Sequence, residues 1–99
     1  MSKLDFTKIS SFDWDKGNKN KNVKKHLVSN RECEELFFNK PIYFFNDYKH
    51  SKVEKRYLAL GRTNEKRLLI IIFVVRNEKV RVISARDMNK KERERYEKN

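Results

Sequence analysis

Residues 67–76 read RLLIIIFVVR, and residues 77–86 continue as NEKVRVISAR. All eight positions from Leu68 to Val75 are apolar. A strand with no polar side must be covered on both faces, which places it at the centre of a sheet. Asn77-Glu78 then makes a tight turn into a second strand over residues 79–86. With a strict period of two, Val80, Val82, Ser84 and Arg86 share one face, and Arg81, Ile83 and Ala85 the other. Upstream, residues 56–60 (RYLAL) form a strand closed by Gly61, and residues 42–45 (IYFF) a short aromatic strand. The polar connection 46–55 (NDYKHSKVEK) joins them. Connections this short favour antiparallel neighbours.

The N-terminal half changes period. Ser29 followed by Glu32 is a capping box, and Cys33, Leu36 and Phe37 lie on one helical face behind it. This helix ends near Asn39, ahead of Pro41. Before it, residues 16–22 (KGNKNKN) are polar, yet Trp14, Asn18, Asn22 and Lys25 sit at helical spacing, which predicts a helix over residues 16–26. Residues 11–14 (SFDW) alternate as a short strand, and residues 1–10 read as a loosely held leader. At the other end, Asn89 and Glu92 form a second capping box. The helix after it has one i, i+4 charge pair, Arg93–Glu97, and only Met88 and Tyr96 as apolar anchors, so it rests lightly on the sheet. The expectation is a single α+β domain over residues 1–99: two N-terminal helices, an antiparallel sheet of about four strands and a short C-terminal helix.

Lysine and arginine number 25 against 14 acidic residues, a formal charge of +11 on 99 residues. Such a charge fits a polyanionic partner, nucleic acid first, with an acidic membrane surface or an acidic protein also compatible. No run approaches the roughly 18 apolar residues of a membrane helix. MSKLDFTKIS lacks a secretory apolar core, and one cysteine permits no internal disulfide, so the expected location is cytoplasmic. Cys33 reads as a small core residue. A domain this small buries only about two-thirds of its unfolded surface, so a site should be a surface groove. Glycines only at Gly17 and Gly61 exclude a P-loop or GxGxxG motif, and His26, His50 and Cys33 have no metal-ligand spacing. Asp13 and Asp15 could hold a cation, though a strand-end or helix-cap role fits them better. No metal and no cofactor are expected.

What remains is a set of cations. Lys25 and His26 sit at the turn between the helices, and Arg56, Arg62, Arg67, Arg76, Arg81 and Arg86 lie in strands or at their ends. Arginine clamps phosphate with a planar fork. Arg81, among apolar neighbours, reads as a salt bridge to a helix carboxylate such as Glu35 or Glu92. Arg86 reads equally as such a pair or as a phosphate ligand. His26 suits a general acid or base, or a helix C-cap.

Phe12-Asp13-Trp14-Asp15, Asn22, Lys25-His26, Val28-Ser29, Arg56-Tyr57, Leu60-Gly61, Arg81-Val82-Ile83-Ser84-Ala85-Arg86, Glu92-Arg93 and Tyr96 occur in an order that resembles BrnT toxins. The ISAR block with the following ERxxY helix is the most specific part. Three positions depart from the family pattern: Lys16 stands for proline, Asn18 for lysine and Leu27 for glycine, so the first helix start and the turn after it should differ. The resemblance implies a RelE-like fold and a type II toxin that cleaves RNA and blocks translation. It also implies a BrnA-like ribbon-helix-helix antitoxin and contact with promoter DNA only through the complex. A metal-free ribonuclease takes the proton from an RNA 2′-OH, stabilises the five-coordinate phosphate and protonates the leaving oxygen. On this reading Lys25 or His26 moves the proton, Arg56 and Arg86 hold the phosphate, and Tyr57 stacks on a base or acts as a weak acid. Arg62, Arg67, Arg76 and Lys19 bind flanking RNA. The alternative is a basic module that binds RNA or DNA and catalyses nothing.

Overall fold

The computed structural model describes residues 11–50 and 52–98, so the leader expected over residues 1–10 lies outside the described residues. The fold is α+β. Five strands, β1 (Ser11–Phe12), β2 (Tyr43–Asn46), β3 (Tyr57–Arg62), β4 (Leu68–Arg76) and β5 (Lys79–Asp87), form one sheet in the order β1-β5-β4-β3-β2. Three helices accompany them: α1 (Lys21–His26), α2 (Asn30–Leu36) and α3 (Lys90–Lys98). The antiparallel strands β2 to β5 are the four expected; β1 adds a fifth, parallel to β5.

β4 is central, as its composition requires. Asn77 and Glu78 both adopt positive φ (52° and 63°), the conformation of a type I′ hairpin turn. Face alternation on β5 differs from the strict period. Phe73 pairs with Val82 and Ile72 with Ser84, which leaves Ile83 as an extra residue in a bulge. Val80, Val82 and Ala85 therefore share the helix-side core, and Arg81 and Arg86 both turn to the opposite face. The bulge reverses the expected placing of Ala85 and Arg86.

The larger core packs Val28, Cys33 and Leu36 against Ala59, Leu69, Ile71 and Phe73 of the sheet, with aromatic edges from Phe12, Phe37 and Phe44. Each large side chain buried there contributes roughly 1.5–3 kcal/mol. The second cluster, Leu60, Ile70, Met88 and Tyr96, lies under α3 on the other face.

The first helix is shorter than expected, because Asp15 organises a turn in front of it. Its side chain accepts from Gly17 N–H (2.8 Å), its carbonyl accepts from Lys19 N–H (2.7 Å), and Asn20 takes φ 61°. This frees Asn18 and Asn22 to close the edge of β5 beyond β1. The Asn18 amide donates to the carbonyl of Val82 (3.2 Å), Lys21 Nζ donates to that of Ile83 (3.1 Å), and Asn22 Oδ1 accepts from Ala85 N–H (3.0 Å). Side chains thus supply what a neighbouring strand would otherwise supply. α1 ends in an αL cap, with Leu27 N–H bonded to Val23 O and Val28 N–H reaching back to Asn22 O. The turn keeps the left-handed conformation despite the missing glycine: Leu27 has φ 56° and is 77% exposed.

Arg67, just before β4, joins three elements. Its guanidinium donates to both oxygens of Asp87 (2.7 and 3.0 Å), to Glu32 (3.1 Å) and to the carbonyls of Leu27 (2.9 Å) and His26 (3.3 Å). The hydrogen bonds from Arg67 hold the Asp87 carboxyl below its ordinary range. Burial pushes Glu32 upward, but the bonds from Ser29 and Arg67 outweigh it and leave that carboxyl lowered too.

Two outcomes follow. Leu27→Gly should raise the stability measured by urea unfolding by about 0.5–1 kcal/mol, because removing the Cβ relieves the left-handed backbone by more than glycine's added chain entropy costs. A drop in stability would show that the leucine side chain matters more than the strain. The lowered carboxyls of Asp87 and Glu32 bind protons more readily in the unfolded chain. The stability they contribute is complete above about pH 5 and is lost as the pH falls through their folded values. An Asp87→Asn variant should lose stability less steeply than the parent over that window, and equal slopes would contradict this.

Candidate functional site

The sheet face away from α1 and α2 is only half covered by α3. Past Ile70 it is flanked instead by the connection between β2 and β3, which contains a 3₁₀ turn (Tyr48–His50) and whose base is closed by Asp47 N–H to Arg56 O (2.9 Å). Between this connection and the sheet runs an open groove of about 450 Å³. Val74 and Ile83 form an apolar floor, and Lys49, Lys52, Arg56 and Arg76 are the cations along it. Glu54 is the acidic residue of the described lining, and Val53 stands fully exposed at the rim. The Arg76 fork grips Glu54 with two bonds of 2.7 Å, which holds the Glu54 carboxyl below its usual range. An apolar floor between cations can hold a nucleobase and the phosphates on either side of it.

The other residues expected at the site are placed elsewhere. Arg86 makes two bonds to Glu92 (2.8 and 2.9 Å), and Glu92 is itself in a capping box with Asn89, so this arginine fastens α3 to the sheet. Arg81 forms the expected salt bridge but with other partners. It grips Asp15 through two bonds of 2.9 Å and approaches Asp13 at 3.6 Å. Glu35 instead pairs with Arg31 (3.4 Å) and Glu92 with Arg86. The two aspartates meet a guanidinium because the turn at residues 15–20 folds back over β5. Arg62 donates to the carbonyl of Lys40 (2.6 Å). Arg67 is the junction described above. Tyr57 is on the helix side, stacked on Phe73 at 5.6 Å, with Lys55 Nζ over its ring. Lys19 and Lys25 are exposed, and His26 is half-buried at the end of α1.

Strand register gives the spacing. Arg76 pairs with Lys79 at one end of the β4–β5 hairpin and Leu69 with Asp87 at the other. Seven residues separate these ends along β4, roughly 23 Å. The Arg67 guanidinium donates to both the His26 carbonyl and Asp87, so Lys25 and His26 belong to the Asp87 end. Arg56 precedes Tyr57, which pairs with Phe73, whereas Arg86 pairs with Ile70 across β4. His26 and Arg76 therefore stand toward opposite ends of the β4–β5 hairpin, with Arg56 between them nearer to Arg76. The fold brings Arg56 and Arg76 together and adds Lys49 and Lys52, which the sequence reading left inside a polar connection. Four cations among the eight residues 49–56 (Lys49, Lys52, Lys55 and Arg56) were the available signal.

Burial pushes the Cys33 thiol up to about 12, which fits the core role and leaves no nucleophile there. Among the described residues no group of three or more His, Cys, Asp and Glu side chains converges to hold a metal ion. No described helix is long and apolar enough to cross a membrane.

No curated protein matches the chain. The family described as the ribonuclease toxin BrnT of type II toxin–antitoxin systems matches residues 14–92. That span runs from Trp14, whose indole donates to Glu34 (2.8 Å), to Glu92, which holds Arg86, and includes the whole groove. The chain therefore belongs to the BrnT family of ribonuclease toxins of type II toxin–antitoxin systems.

Proposed function

We propose that this chain cleaves single-stranded RNA without a metal ion, by attack of a 2′-OH on the adjacent phosphate, and that the groove beside β4 is where it does so. The observation that carries this reading is the cluster of Lys49, Lys52, Arg56 and Arg76 around the floor of Val74 and Ile83. In this reading the 2′-OH gives its proton to water in the open groove as its oxygen bonds to phosphorus, Arg56 stabilises the phosphate as it becomes five-coordinate, and a groove lysine gives its proton to the 5′ oxygen as the P–O5′ bond breaks. Val74 and Ile83 receive a base that has left its stack. The 2′-OH requirement restricts the chemistry to RNA. Lys25, His26 and Lys19 contact flanking RNA, since the end of α1 is about 23 Å along the strands from Arg76. Arg86 acts through α3, which it fastens. Tyr57 supports the floor from beneath through Phe73 rather than meeting RNA.

A type II toxin is held in check by an antitoxin. We propose a small partner of the BrnA type, with a ribbon-helix-helix DNA-binding part and an acidic toxin-binding part, that brings the toxin to promoter DNA only as a complex. A charge of +11 supports the acidic character.

The test is cleavage of a defined RNA by purified protein in EDTA. Activity should persist in EDTA. A folded Arg56→Ala variant should lose 10²- to 10³-fold in rate, about 3 kcal/mol of charge stabilisation. His26→Ala should stay within about tenfold of the parent, the effect of a lost flanking contact. Binding without cleavage would favour the non-catalytic module. Loss of activity in EDTA would overturn the metal-free step. An inactive His26→Ala beside an active Arg56→Ala would move the site to the α1–α2 turn.

A further inference from the structure

Arg76 is an exposed arginine at the end of β4 whose fork is already filled. Its Nε and Nη2 each lie 2.7 Å from an oxygen of Glu54, and the two side chains keep 49% and 34% of their exposure. A carboxylate presents two oxygens to a guanidinium much as a phosphate does. The pair therefore occupies, with an internal acid, the contact that a phosphate in the groove would make.

Building on the reading of the groove as the RNA site, we propose that Glu54 is a built-in competitor for the RNA backbone. It holds Arg76 and pins the β2–β3 connection to the sheet in the free protein, and it yields Arg76 to a phosphate when RNA enters. The connection suits such an exchange. Its base is fixed by the Asp47–Arg56 backbone bond, while Glu54 sits next to Val53, which is wholly exposed, on an arm that also carries Lys49 and Lys52. The bidentate geometry makes the pair better than a single exposed contact, but with this much exposure it is still screened by solvent, so a phosphate supported by two neighbouring lysines can displace it. The other bidentate pairs do not offer the same exchange. Glu92, which holds Arg86, is 19% exposed and is also committed to capping α3; Arg81, which holds Asp15, is 14% exposed; and Arg67, which holds Asp87, is 28% exposed and also donates to Glu32, His26 and Leu27. The consequence is selectivity for substrate. An isolated phosphate must overcome Glu54, whereas a continuous backbone that also engages Lys49 and Lys52 can do so.

The experiment measures fluorescence anisotropy of a short labelled 2′-O-methyl oligouridylate, which binds but cannot be cleaved, against the full chain. The variants are Glu54→Gln, Arg76→Ala, their double mutant and the remote control Glu65→Gln, each checked for a parental thermal transition. Glu54→Gln should tighten binding about threefold to tenfold, the double mutant should differ from Arg76→Ala by less than twofold, and Glu65→Gln should change binding by less than twofold. Unchanged or weaker binding by Glu54→Gln overturns the proposal, as does an equal gain with and without Arg76, which would be a general charge effect. Failure of the parent chain to bind the oligonucleotide would instead overturn the groove as the RNA site and this inference with it.

Discussion

β4 is apolar on both faces, and the helices among the described residues are too short to cover both. α1, α2 and the turn between them cover the middle of one face, burying Val28, Cys33 and Leu36 against it. α3 has nine residues and one buried side chain of its own, Tyr96, so it shelters only the part of the other face around Leu60 and Ile70. The rest of that face must be screened by the stems of long cationic side chains and by the β2–β3 connection. The groove, its apolar floor and its ring of cations all follow from this shortage of cover.

The excess of basic residues is not spread evenly as available charge. Arg67, Arg81 and Arg86 are held by Asp87, Glu32, Asp15 and Glu92, where they join helices and turns to strand ends. Arg62 spends a donor on the carbonyl of Lys40. These arginines assemble the fold, and the groove keeps a locally positive character because four of its described lining residues are basic and one is acidic. The β5 bulge contributes as well. By turning Arg81 and Arg86 to the same face, it lets one hold the N-terminal turn and the other hold α3 while Val80, Val82 and Ala85 stay in the core.

Much of this was legible in the sequence, and the exceptions share a cause. The unbroken apolar run placed β4 at the centre, and both capping boxes stand where Ser29–Glu32 and Asn89–Glu92 predict them. These are local signals, decided within a few residues. The errors came from long-range contacts. The strand read at residues 11–14 is there but only two residues long, and its parallel pairing with β5, nearly seventy residues later, was not legible. The turn over residues 15–20 replaces helix because Asp15 meets Arg81 and Asn18 meets Val82. Gly17 belongs there because a Cβ would lie 2.9 Å from the Arg81 guanidinium. The bulge at Ile83 leaves no mark in an alternating pattern. The candidate site was legible in kind, as basic residues on a small sheet, but not in membership. Lys49 and Lys52 sit in a stretch whose polarity looks like ordinary loop, and the placing of His26 and Arg76 toward opposite ends of the β4–β5 hairpin is something that only register reveals.

The half of the sheet that α1, α2 and α3 leave open is the surface proposed for RNA. ¹⁵N chemical-shift mapping with a 2′-O-methyl RNA that cannot be cleaved tests this directly. The largest shifts should fall at residues 49 and 52–56, at Val74 to Arg76 and at Ile83, with smaller ones at the end of α1. Largest shifts at Lys24 to Leu27 and Asp87, with the groove unmoved, would contradict it.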